Sequence, residues 1–192
     1  MTKSSLHDEL ETVSRIRAGD VEAFSSLFRQ YYEPLCFFGV RYLHDLQSAE
    51  GIVQDIFVRL WESRETLGIQ SSLKSYLYAS VRNACLNQLK HDGFSTPLDD
   101  EADRPDTEGL QPDLQLESTE IGEALTKAIN TLAPRCRQIF AMAKYDDLSY
   151  QEIAEILDIS VNTVKTQLKR ALKTLSIKLQ HFQMLFFFTR WW

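Results

Sequence analysis

Apolar residues recur at steps of three and four along most of this chain, and nowhere do they alternate strictly with polar ones. That period predicts amphipathic helices and no half-buried strands. Leu10, Val13 and Ile16 form a first stripe, closed by Ala18-Gly19-Asp20, a helix stop followed by an Asp N-cap. Val21, Phe24, Leu27, Phe28, Tyr31, Leu35 and Phe38 mark one face of a long second helix, in which Pro34 predicts a kink or a split. A third helix, capped by Ser48, carries Ile52, Val53, Ile56, Phe57, Leu60 and Trp61. A fourth follows Ser71-Ser72, with Leu73, Tyr76, Leu77, Val81, Ala84, Leu86 and Leu89.

The periodicity stops at residues 92–117, where Gly93, Pro97, Pro105, Gly109 and Pro112 are interspersed with acids. Such a stretch cannot offset its own ordering entropy and predicts a flexible linker. Helical spacing resumes with Ile121, Leu125, Ala128, Ile129 and Leu132. Ala133-Pro134 restarts a helix, with proline in the first turn where it is tolerated, and Cys136, Ile139, Phe140 and Ala143 form its inner face. The expected fold is all-α: a helical domain over 1–92, an acidic linker over 93–120, a second helical domain over 121–181 and a hydrophobic tail over 182–192.

The sharpest local pattern lies in the second domain. Ser149 and Glu152 have the spacing of a capping box, in which each side chain satisfies the other residue's backbone amide. Ile153, Ala154, Ile156 and Leu157 make a short buried helix; Ala154 is small where two helices approach. Asp158-Ile159-Ser160 then makes a three-residue turn, with Ile159 as a plug and Ser160 as the next cap. The helix that follows buries Val161, Val164, Leu168, Ala171, Leu172 and Leu175, and presents Asn162, Lys165, Thr166, Lys169, Arg170 and Lys173 on its other face. This is a helix-turn-helix, whose second helix enters the DNA major groove. Asn reads adenine, Lys and Arg read guanine or hold phosphates, and Thr suits a thymine methyl or a phosphate.

A net charge of −6 over 192 residues at first argues against nucleic acid. The charge is unevenly placed: residues 1–91 carry −1, residues 92–120 carry −9 and residues 124–182 carry +4. The acidic surplus therefore belongs to the linker. Cys36, Cys85 and Cys136 are scattered, and so are His7, His44, His91 and His181, which predicts buried thiols and surface imidazoles rather than disulfides or a metal site. No cofactor is implied. The acid pairs Asp99-Asp100 and Asp146-Asp147 fall in the linker and in a turn, and no His, Cys or Gly-rich loop completes an active site, so an enzyme is not expected. The N-terminal MTKSSLHDELETV lacks a signal peptide's apolar stretch, and no apolar run is long enough to span a bilayer. A cytoplasmic protein without membrane insertion is expected.

Both halves together resemble the extracytoplasmic-function (ECF) sigma factors of bacterial RNA polymerase. In the first half the resemblance is carried, in order, by DVEAFSSLFRQYYEPL, AEGIVQDIFVRLWE and SLKSYLYASVRNACLNQL; in the second, by LAPRCRQIF and LSYQEIAEILDISVNTVKTQLKRALKTL. It implies that the AEGIVQDIFVRLWE helix docks on the β′ clamp helices of the polymerase core, through Gln54, Asp55, Phe57, Leu60 and Trp61. Gly51 stands where the family usually has an acidic residue, which removes one polar contact. It implies that the fourth helix holds unpaired bases of the promoter −10 element, with Tyr76, Tyr78, Asn83 and Asn87 on bases and Arg82 and Lys90 on phosphates; Tyr76 also fits the core stripe. Aromatic faces, amides and cations suit that task. The −35 duplex then falls to Asn162, Lys165, Thr166, Lys169, Arg170 and Lys173. The acidic linker would follow a positively charged path toward the polymerase active centre and RNA exit channel. An anti-sigma protein would control activity. The rival reading is a helix-turn-helix repressor or activator that works as a dimer without joining the polymerase. The tail, FQMLFFFTRWW, would dock on the second domain or on a partner.

Overall fold

The computed structural model describes residues 3–69, 72–93 and 120–179. The acidic segment between them and the hydrophobic tail lie outside the described residues. Eight α-helices are present among the described residues, with no strand. In the first half they are α1 (Lys3–Arg17), α2 (Val21–Leu43), α3 (Leu46–Glu62) and α4 (Leu73–His91), with one 3-10 turn at Arg64–Thr66. In the second they are α5 (Glu120–Asn130), α6 (Pro134–Lys144), α7 (Tyr150–Leu157) and α8 (Val161–Lys178). The described helices fall into two compact units, one holding α1–α4 and the other α5, α6 and α8.

The local punctuation explains where the helices begin and end. Gly19, at φ 81°, makes the left-handed turn out of α1. Asp20 then caps α2, its carboxylate accepting from the Glu22 and Ala23 amides at 2.9 and 3.1 Å. Those amides and the Arg15 guanidinium hold the Asp20 carboxyl below its ordinary pKa, the Ala23 bond first. Pro34 does not split α2, which runs unbroken from Val21 to Leu43. Pro34 and Gln30 are both exposed, so the carbonyl that loses its amide partner there faces water. The cap of α3 is Asp45 rather than Ser48: the Asp45 carboxylate accepts from the Ser48 amide at 2.7 Å, which places Ser48 inside the first turn.

In the first unit α2, α3 and α4 pack on one another around Leu35, Phe38, Val53, Phe57, Leu77, Tyr78 and Val81, all buried. Helix α1 lies against α2 and grips the entry to α4 from two sides. The Arg17 guanidinium donates to the Leu67 carbonyl, and the Glu9 carboxylate accepts from the Leu73 amide at 3.0 Å. Ser72 completes the cap of α4 by accepting from the Ser75 amide.

The second unit is built on α8, against which α5 and α6 pack. Its core holds Ile129, Leu132, Ile139, Phe140, Ile153, Val164, Leu168 and Leu175. Met142 is buried where the pattern points to Ala143, which is half-buried, and the Leu148 amide donates to the Met142 carbonyl. All three cysteines are free and buried, and His44 and His91 are exposed.

Candidate nucleic-acid interface

The helix-turn-helix is assembled by short-range hydrogen bonds. The Ser149 amide donates to Glu152 Oε2 at 2.8 Å and the Glu152 amide donates to Ser149 Oγ at 3.2 Å, a reciprocal capping box at the start of α7. Asp158, at φ 51°, takes the left-handed conformation that ends α7, a region Asp tolerates better than most residues. The Ile159 amide returns to the Ala154 carbonyl, and Ser160 Oγ accepts from the Thr163 amide at 3.0 Å to start α8.

On α8 the apolar row of Val164, Leu168, Ala171 and Leu175 is buried, and the six expected contact residues Asn162, Lys165, Thr166, Lys169, Arg170 and Lys173 are all exposed. None of those four cations has a carboxylate partner among the described residues, so their charge is available to an external anion. The Thr166 hydroxyl donates to the Asn162 carbonyl, which leaves its methyl and oxygen lone pairs for the groove. Val161 departs from the sequence reading. It is exposed rather than buried, because it opens the helix before the apolar row begins.

Besides His91 at the helix end, the exposed residues of α4 are Tyr76, Asn83, Asn87 and Lys90. At 100° per residue these four fall within about 60° of the helix circumference. Tyr78 lies across the helix from them and is 1% exposed, its ring edge-on to Phe38 at 4.9 Å. Tyr78 thus lies in the core and Tyr76 outside it: the two tyrosines stand two positions apart and face opposite ways. Arg82 lies off the face and is half-buried; its guanidinium donates to Asn83 Oδ1 at 3.3 Å, and its Nε is buried without a partner.

On α3, Gln54 and Asp55 are exposed, and Gln54 Nε2 donates to the Tyr32 hydroxyl of α2 at 3.2 Å. Phe57 and Leu60, expected among the docking residues, are each 2% exposed and pack in the core of this unit. Phe57 packs on Phe28, with ring centroids 4.9 Å apart. Trp61 is half-buried between the Phe24 ring and the Arg64 guanidinium. The exposed apolar residue beside Gln54 is Val58, which the sequence pattern does not single out; a valine on a polar face carries no local signal. Gly51 lies on the same face with open space around it.

Two family models match this architecture: sigma-70 region 2 over residues 27–94 and sigma-70 region 4 over residues 122–175. This chain belongs to the ECF family of sigma factors. Among its relatives, RNA polymerase sigma factor YlaC of Bacillus subtilis is 28% identical over 78% of this chain and 88% of its own length. The ECF RNA polymerase sigma-E factor of Escherichia coli is 27% identical over 88% of this chain and 92% of its own length. The fold is shared with CnrH, solved in complex with the cytosolic domain of CnrY (TM-score 0.60, 15% identity, 90% of this chain and 97% of that one). It is also shared with the sigma factor RpoE from Bartonella quintana, solved with the anti-sigma factor NepR (TM-score 0.56, 24% identity, 83% and 98%).

In this sigma factor, the region 2 match takes in most of α2 and all of α3 and α4, and so covers Gln54, Asp55 and the Tyr76 face. The region 4 match takes in α6, α7 and most of α8, and so covers the six exposed residues of α8. Among the described residues, no helix is long and apolar enough to cross a membrane, and no cluster of His, Cys, Asp and Glu is suited to a metal ion.

Proposed function

We propose that this sigma factor engages the polymerase core through the exposed face of α3, reads the −35 duplex with α8 and holds the opened −10 strand on α4. The observation that carries this reading is the α8 face: six polar or cationic side chains, all exposed, on the second helix of a capped helix-turn-helix. Asn162 and Thr166 lie near the helix N-terminus, where base edges are reached, and Lys169, Arg170 and Lys173 are placed for flanking phosphates. On α4, Tyr76 supplies a stacking surface, Asn83 and Asn87 supply amides for base edges, and Lys90 supplies a cation. On α3, Gln54 and Asp55 provide polar contacts to the β′ clamp helices, with Val58 as their apolar neighbour and Trp61 at the margin.

Initiation in this reading needs no covalent chemistry by the sigma factor itself. Binding energy on the unpaired strand offsets the cost of unstacking, and polymerase performs the synthesis. The protein acts in the cytoplasm. The acidic segment over residues 93–120 joins the two DNA-reading units and suits a cationic channel. An anti-sigma protein, the kind of partner bound in the Bartonella quintana complex, would hold the factor inactive until released.

Run-off transcription from a genomic promoter library, with purified core polymerase and with or without this protein, tests the reading. The expected result is a set of new start sites sharing two spaced upstream elements. Loss of both core binding and new starts would overturn it, as would dimeric binding to palindromic sites without polymerase.

A further inference from the structure

Helix α8 carries one polar residue whose environment differs from the rest. Gln167 is half-buried on the flank of the helix, one turn before Arg170, between the exposed cationic face and the apolar row. Its Oε1 accepts a hydrogen bond from Cys136 Sγ, in the first turn of α6, at 2.8 Å. Cys136 is itself buried, and burial pushes its thiol above the ordinary value, partly offset by the Arg170 charge, so the thiol is protonated and a donor at neutral pH. The Gln167 NH2 group has no partner among the described residues, and it is not among their sealed, unsatisfied polar atoms.

We propose that Gln167 is a backbone-phosphate contact on the −35 duplex, with Cys136 as the positioning residue that fixes its carboxamide. The inference rests on α8 being the duplex-reading helix. A glutamine reads adenine by using its oxygen and nitrogen together. Here the oxygen is occupied by the thiol, so the side chain offers donors only. A donor pair on the helix flank, away from the N-terminal residues that reach base edges, fits a phosphate oxygen. The bond to α6 also removes rotamer freedom before DNA arrives, which lowers the ordering cost of the contact.

Holoenzyme made from core polymerase and the full chain is titrated with promoter DNA across a range of salt, and against a library of −35 variants. Gln167→Ala should weaken binding about ten- to a hundredfold, the effect of one hydrogen bond to a charged phosphate oxygen. The loss should be equal across sequences and leave the salt slope unchanged, because no cation is removed. Gln167→Glu keeps an acceptor for the thiol but presents a second oxygen to the phosphate, and should weaken binding further. Cys136→Ala should reproduce the Gln167→Ala loss and add nothing in that background, while Cys136→Ser, which keeps a donor, should recover part of it. Replacing the contacted phosphate with methylphosphonate should erase the difference between wild type and Gln167→Ala.

Equal binding by wild type and Gln167→Ala would overturn the contact. A changed base preference would move Gln167 to a base edge and overturn the phosphate assignment. Fully additive losses for the two alanine variants would overturn the positioning role. Should Cys136→Ala unfold, the Gln167 variants and Cys136→Ser decide the matter. A wild-type holoenzyme that selects no upstream element would instead remove the α8 reading on which this inference stands.

Discussion

A Cβ placed on Gly39 of α2 would lie 3.1 Å from the Cβ of Ala49 on α3, and 3.7 Å from Val81 on α4. Three helices converge at this one position, and Ala49 is fully buried beneath it. Two of them, α3 and α4, carry the candidate polymerase and −10 faces. The glycine therefore fixes the separation of the elements that present those faces, which makes it a structural residue with functional reach.

Gly39→Leu should separate α2 from α3 and destabilise the first unit by about 1–3 kcal/mol, the usual range for overpacking a core. Gly39→Ala should come out near neutral, since its tight contact opposes a helix-propensity gain of about 1 kcal/mol. Urea unfolding followed by circular dichroism separates the two. An unmoved midpoint for Gly39→Leu would show that the helices can part without cost.

Gln54 and Phe57 stand three residues apart on α3 and should fail in different ways. Gln54→Ala and Asp55→Ala should lower core-polymerase affinity, by about 1–2 kcal/mol at an interface contact, with melting temperature preserved. Phe57→Ala should instead remove about 3–5 kcal/mol of stability, the cost of truncating a buried aromatic. Pull-down with core polymerase, paired with thermal melts of each variant, checks both. A Phe57→Ala protein that melts normally but no longer binds would return Phe57 to the interface.

The tyrosines of α4 give a parallel test. Tyr76→Ala should impair promoter opening, detected as lost permanganate reactivity of −10 thymines, at a cost of about 1–3 kcal/mol for one stacked base. Its fold should be retained, because Tyr76 is 37% exposed. Tyr78→Ala should lower stability before any effect on opening can be read. The reverse pattern would mean that α4 presents its other face to DNA.

Burial pushes the Cys85 thiol up to about 12. The folded state thus disfavours the thiolate. The thiol's contribution is fully present below the ordinary cysteine pKa and is lost as pH rises from about 9 toward 12, since the unfolded chain gives up its proton first. Native protein should leave Cys85 unmodified by iodoacetamide at pH 8 and expose it only on unfolding, as read by mass spectrometry. Replacing Cys85 with Ala should flatten the alkaline limb of the stability curve over that window.

Much of this architecture is written locally. The Ser149–Glu152 capping box, the Asp158 turn and the Ser160 cap each involve residues within a few positions of one another, and all three are legible in the sequence. The same holds for Asp20, for Ser72 and for the periodic rows that define α2, α4 and α8. The exposed face of α8 follows from that periodicity, because a 3.6-residue repeat with one apolar row leaves the opposite side polar.

Packing between distant segments decided the rest. Tyr76 and Tyr78 both fit a helix pattern, and the packing of α4 on α2, with Phe38 forty residues earlier against the Tyr78 ring, decides which of them turns inward. Phe57 and Leu60 match a docking helix as well as a core helix; the aromatic cluster with Phe24 and Phe28 claims Phe57 for the core. The choice of Asp45 over Ser48 as a cap, the survival of α2 across Pro34 and the bond from Cys136 to Gln167 likewise depend on geometry. The physical reason is one of range. Helix periods and caps are fixed by neighbours within about one turn, whereas the direction of a side chain on an ambiguous face is set by whichever distant helix arrives to cover it.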